Sequence, residues 1–306
     1  MRLTKTGSAG FRVWPPETGC RELLVGTLLL MGVAGCTAGE PKQQASAPSA
    51  VTSVAQLVLP FDAYKTTPEQ QAILGNAHNL LVVRCMRKKG VTIEPPAEDP
   101  AVIAAVEPGN SRRYGVVDTE AARRYGYHLA RPPSPDTTRS WAGKLPKPAR
   151  HRLYGTAANR GCLDRAALVL ERGARKADWP WLALQDSLTL EQSAKNPSVT
   201  NAITRWQSCM SQEGHSYPAP EAAIADSRWD LEKRTVTEDE KQTAIADTQC
   251  KWASGLVAAW HTADAALQRA VIRDNTDRFA ALRANLEHRL KRASTVLAAH
   301  EGGKVG

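Results

Sequence analysis

Arg112-Arg113-Tyr114-Gly115 recurs as Arg123-Arg124-Tyr125-Gly126, followed at once by Tyr127 and His128. A guanidinium fork binds phosphate or carboxylate through two parallel bonds, and a phenol offers a flat face with a polar tip. Arg112, Arg113, Tyr114, Arg123, Arg124 and Tyr125 are therefore the candidate anion-binding residues. A simpler reading has the tyrosines packing a small core while the arginines stay in water. Trp206 lies one turn before Cys209, and Trp252 lies two residues after Cys250, so both read as core near a cysteine and not as a glycan platform. The histidines are isolated, and His-Glu-x-x-His, Gly-x-Ser-x-Gly and P-loop motifs are absent. The acidic run Glu238-Asp239-Glu240 opens a helix, where the helix dipole already accounts for it. No catalytic residue, cofactor-binding residue or metal ligand is expected, and the chain reads as a non-enzyme.

One cysteine has a different chemistry. Arg2, Lys5, Arg12 and Arg21 precede the apolar run Leu23 to Met31, which leads into Val33-Ala34-Gly35-Cys36. A basic region, a short apolar core and a small-residue processing site make a signal peptide, residues 1–35. The last four residues resemble the bacterial lipobox. That resemblance implies cleavage before Cys36 and attachment of a lipid with palmitate-type acyl chains to its thiol. Of the 306 residues, 40 are Lys or Arg and 31 are Asp or Glu, a net charge of +9. Removing the four basic and two acidic residues of the leader leaves 36 against 29, or +7. On the outer face of a cell membrane, this surplus suits anionic lipid or wall polymer, not nucleic acid. A composition 42% hydrophobic and 23% charged excludes a wholly disordered chain. Six Cys are too dilute for a small disulfide scaffold.

Residues 36–58 are small, polar and proline-containing at their start and read as a flexible tether, with a root-mean-square span of roughly 25 Å. Beyond it the patterning is helical. Thr67-Pro68-Glu69-Gln70 is a capping box with Pro at the first helical position, and Gly90 can close that helix. Val91 to Gly115 reads mainly as loop. Asp118 caps a short helix through Tyr125, and the five prolines of 131–148 form an irregular crossing. Helices are predicted at Ala149–Tyr154, Cys162–Arg172 and Trp179–Ala194, and from Asn196-Pro197 to near Gly214. Thr237 to Glu240 is a second capping box. From there to about 299 runs a single apolar stripe: Trp252, Leu256, Trp260, Ala263, Leu267, Val271, Phe279, Leu282, Leu286, Leu290, Ala293 and Leu297. Its steps average about 3.75 residues, which disfavours a left-handed coiled coil. A continuous helix over 238–299 would be about 93 Å long. Asp274-Asn275-Thr276-Asp277 is the place where it would break.

Cys85-Met86-Arg87-Lys88-Lys89-Gly90 matches Cys209-Met210-Ser211-Gln212-Glu213-Gly214, each copy at a helix end with Pro soon after. Four cysteines permit three pairings. The repeat favours Cys85 with Cys162 and Cys209 with Cys250. A four-cysteine metal site would use Cys-x2–4-Cys pairs, and a redox site Cys-x-x-Cys; neither spacing occurs. The fold class is therefore mainly α: two related disulfide-tied helical halves, 59–177 and 178–300, with a long C-terminal amphipathic helix and a tail at 301–306.

The lipobox, the paired Cys-Met-x-x-x-Gly segments, Arg112 to Gly115 and Gln249-Cys250-Lys251 together resemble secreted lipoproteins of high-GC Gram-positive (actinobacterial) type. The resemblance implies surface anchoring and brings no activity with it. The expected role is a helical binding or scaffold module at the envelope that presents its long helix to an envelope protein or an anionic wall polymer. An anionic-ligand binder or sensor using the Arg/Tyr cluster is the alternative, and a cell-wall enzyme ranks third.

Overall fold

The computed structural model describes residues 51–130, 141–233 and 235–302. The leader, Cys36 and the first part of the tether lie outside the described residues, as does most of the proline-rich 131–148 crossing. Among the described residues the fold is helical and contains no β-strand. The helices are α1 Pro68–Lys88, α2 Pro100–Val106, α3 Thr119–Tyr125, α4 Lys147–Tyr154, α5 Cys162–Glu171, α6 Trp179–Ala194, α7 Pro197–Gln212, α8 Pro220–Ile224, α9 Glu238–Ala253, α10 Leu256–Asp274 and α11 Thr276–Gly302.

Local chemistry explains the boundaries. At α1 the Thr67 side chain accepts from the Gln70 N–H, and the Gln70 side chain accepts from the Thr67 N–H. Asp118, Asp178 and Asn196 cap α3, α6 and α7 in the same way, with Pro inside the first turn of α6 and α7. The two Cys-Met-x-x-x-Gly copies are one device used twice. Gly90 and Gly214 have φ of +72° and +81°. Past each, the next N–H donates back to the buried methionine carbonyl, Val91 to Met86 at 3.0 Å and His215 to Met210 at 2.8 Å. This is the Schellman closure of a helix. The cysteine one residue before each methionine forms a disulfide, Cys85–Cys162 and Cys209–Cys250.

One expectation needs correction and two are sharpened. Residues 51–58 are not tether. Val54–Gln56 is a 3-10 turn, Val51 and Val54 pack on a core cluster, and Leu57 is buried within it, because the polar, proline-bearing composition has given way to apolar residues by then. Val91 to Gly115 is not all loop: Asp99 caps α2 and Pro100 opens it. The terminal stripe is not one helix but three. It breaks at Asn275, where expected, and also at Ser254-Gly255, where Gly255 takes φ +72°. The longest piece, α11, has 27 residues and spans about 40 Å.

The packing interleaves elements distant in sequence. α11 lies along α1 and α5, burying Ala293 with Ala77 and Leu170. α3 leaves the first half of the chain to pack on α9, and Tyr114, Val116, Val117 and Tyr127 around it join the core of Trp206, Met210, Trp229 and Trp260. Phe61 and Tyr64 join Phe279, Leu282 and Leu182. A separate cluster of Val82, Met86, Ile93, Leu153 and Ala166 surrounds Cys162. Every residue of the predicted stripe is buried or half-buried, so the apolar face of α10 and α11 is turned inward.

Candidate functional site

The Arg/Tyr segment is strapped across α9 and α10 by buried polar groups. The Arg113 Nε donates to Asp264 Oδ2 at 2.5 Å, and the Tyr114 hydroxyl donates to the same oxygen at 3.1 Å. A second nitrogen of Arg113 sits 3.0 Å from Asp186, which also receives Lys65 at 3.0 Å. Gln268 continues the chain, donating to Asp264 and accepting the Phe61 N–H at 2.9 Å. Burial pulls the Arg113 guanidinium down, but Asp264 and Asp186 more than offset it and hold the group above its ordinary range. Burial, with Asp264 beside it, pushes the Tyr114 phenol far up. Arg112 donates to the Tyr127 and His128 carbonyls at 2.6 and 2.8 Å, and burial lowers it.

The buried face of α9 is polar. Glu240, Thr243, Asp247, Thr248 and Lys251 are all fully buried, at the three- and four-residue steps that usually carry leucines. Lys251 donates to Asp247 at 2.7 Å and to the Val116 carbonyl at 3.1 Å, and the Trp206 indole donates to Asp247 at 3.0 Å. Burial raises the Asp247 carboxyl against the pull of Lys251 and Trp206. Glu240 does not complete the predicted capping box. Thr237 makes its half, while the Glu240 carboxylate accepts the Tyr127 N–H at 2.8 Å and lies 2.8 Å from His128 Nδ1. The tandem Arg-Arg-Tyr-Gly now has a reason. Gly115 and Gly126 have φ of +80° and +55°, and a Cβ on either would collide, with the Lys251 ammonium at Gly115 and the Glu240 carboxylate at Gly126. Each copy brings bare backbone against one charged group of α9.

The six candidate residues therefore do not converge. Arg113 and Tyr114 are structural partners of Asp264. Arg112 clamps two carbonyls and edges a groove of about 790 Å³ together with Lys65 and Asp186. Arg123 is exposed and pairs with Glu120, and Arg124 is exposed. Tyr125 edges a smaller cavity of about 350 Å³ that His128 and Arg112 also line. His128, oriented by Glu240, has the form of a general base. Its Nε2 and the second Glu240 oxygen have no hydrogen-bond partner among the described residues, so no nucleophilic hydroxyl of these residues is joined to the imidazole. Sequence reasoning missed Asp186, Glu240, Asp247, Lys251, Asp264 and Gln268. The i, i+4 spacing of Asp247 and Lys251 beside Cys250 was the one available signal. Among the described residues no group of His, Cys, Asp and Glu could hold a metal ion, and no helix is long and apolar enough to cross a membrane. No protein-family model, curated protein or solved structure matches the chain.

Proposed function

We propose that the protein is a lipoprotein anchored through Cys36 on the outer face of the cell membrane, where its helical body acts as a binding module for an envelope component. The observation that carries this reading is the run from basic leader through apolar core to Val33-Ala34-Gly35-Cys36. Two disulfides in a chain of this size agree with it, since such bridges persist in oxidising compartments. The mature surplus of +7 favours an anionic counterpart such as a wall polymer or an acidic envelope protein. The face offered to that partner is not the terminal apolar stripe, which the body uses internally.

In fractionated cells, Cys36→Ala should move the protein from membranes to the medium or soluble fraction; unchanged partitioning would refute lipid anchoring. Crosslinking in intact cells should then recover an envelope partner from the wild type. The second reading, an anionic-ligand binder, is favoured by one arginine outside the Arg/Tyr cluster.

A further inference from the structure

Tyr64, α1, the start of α6 and the middle of α11 border an open cavity of about 440 Å³. Tyr64, Leu74, Trp179, Leu182 and Leu286 form its apolar wall, and Arg289 reaches it from α11. Its volume lies within the range of roughly 300–1,000 Å³ that holds small ligands. The lining contains no carboxylate. Lys65, also at its edge, is already paired with Asp186 and Asp62. Arg289 is different. Its Nε is buried without an acceptor, and its half-buried side chain makes no hydrogen bond or ion pair with any described residue. A buried guanidinium donor normally has an acceptor, because leaving it unmatched sacrifices the hydration it gave up.

We propose that this cavity binds a single-chain amphiphile with a carboxylate head, a long-chain fatty acid, with its tail along Leu74, Leu182 and Leu286 and its head on Arg289. One unneutralised cation matches one negative charge, whereas a phosphate monoester brings about −1.5 to −2. The Arg fork fits a carboxylate through two parallel bonds. The proposal rests on the binding-module reading for its biological setting, but its test does not: it is read on purified protein, while the anchor is read on cells. A chain released by Cys36→Ala that binds no fatty acid would leave the module reading standing and overturn this one.

The test uses the chain from residue 37 onward, which contains the whole described body, with both disulfides closed and without detergent. 9,10-Dibromostearate should quench tryptophan fluorescence saturably through Trp179, and stearate should reverse the quenching. Arg289→Ala should weaken binding at least tenfold, and since the Arg289 guanidinium has no partner among the described residues the variant should keep the wild-type circular dichroism and melting temperature. Arg289→Lys should retain part of the affinity, and Leu74→Trp should abolish binding by filling the cavity. Methyl stearate binding as well as stearate would overturn the assignment of the head, and so would an unchanged affinity in Arg289→Ala. Absence of saturable quenching in the folded protein, or binding to phosphatidylglycerol vesicles with none to stearate, would overturn the proposal.

Discussion

The two disulfides close helices that end alike and sit in unlike interiors. Around Cys85–Cys162 the neighbours are Val82, Met86, Ile93, Leu153 and Ala166, and the cluster is apolar throughout. Around Cys209–Cys250 the same Cys-Met-x-x-x-Gly ending faces Asp247, Lys251 and Trp206, with Glu240 on the same helix face. The partner cysteines also differ in place: Cys162 opens α5, whereas Cys250 lies near the end of α9. A local motif thus fixes how a helix stops but not what it stops against. An apolar interior responds to lost volume in small steps. An ionic interior responds to lost partners, because a buried charge without its mate is far worse than no charge at all.

The sharpest way to separate the two regions is to open each bridge. With closed loops of 77 and 41 residues, chain entropy alone predicts losses of about 4.5 and about 3.9 kcal/mol for replacing each cysteine pair with Ala. Urea unfolding should return that order. A larger loss at Cys209–Cys250 would mean that the ionic interior depends on its bridge beyond loop closure. Next, Lys251→Met should cost about 3–5 kcal/mol by stranding Asp247. Adding Asp247→Asn, which keeps an acceptor for the Trp206 indole, should recover most of it. A double variant no better than the single one would show that the pair contributes more than mutual neutralisation. In the apolar region, Leu153→Ala should cost about 3 kcal/mol and Leu153→Met less than about 1.5, both read by thermal melting. The smallest effects belong to the shared motif. Gly90→Ala and Gly214→Ala should each cost about 1 kcal/mol, since both positions need positive φ and neither Cβ would touch a neighbour. Unequal losses would break the equivalence of the two endings.

These contrasts follow what could be read from sequence. Thr67-Pro68, Asp178 and Asn196-Pro197 mark helix starts by chemistry that acts within four residues, and α1, α6 and α7 begin there. The Cys-Met repeat indicated both bridges by a different route, since each copy is followed by one further cysteine. Glu240 misled because its local role, a helix-start carboxylate, lost to a partner more than a hundred residues away, the Tyr127 N–H. Lys251 and Asp247 face inward only because the 112–128 strap brings a carbonyl and bare glycine backbone to them. Arg113 was legible as a residue able to hold a carboxylate; that the carboxylate would be Asp264 of its own chain was not. Arg289, one of several arginines in its helix, gave no sequence signal, since its distinction is that its side chain has no partner among the described residues in three dimensions.

The pairing of α11 with α1 has a consequence for how the molecule comes into being. Among the described helices α1 is the first long one to be synthesised, and α11 is the last. The cluster of Ala77, Leu170 and Ala293 therefore stays open until almost the entire chain has been delivered. Contacts this distant in sequence are slow to form, because the intervening loop must be closed before they repay it. A body of this design stays unlocked for most of its synthesis, and the arrival of α11 is what commits it to the final shape.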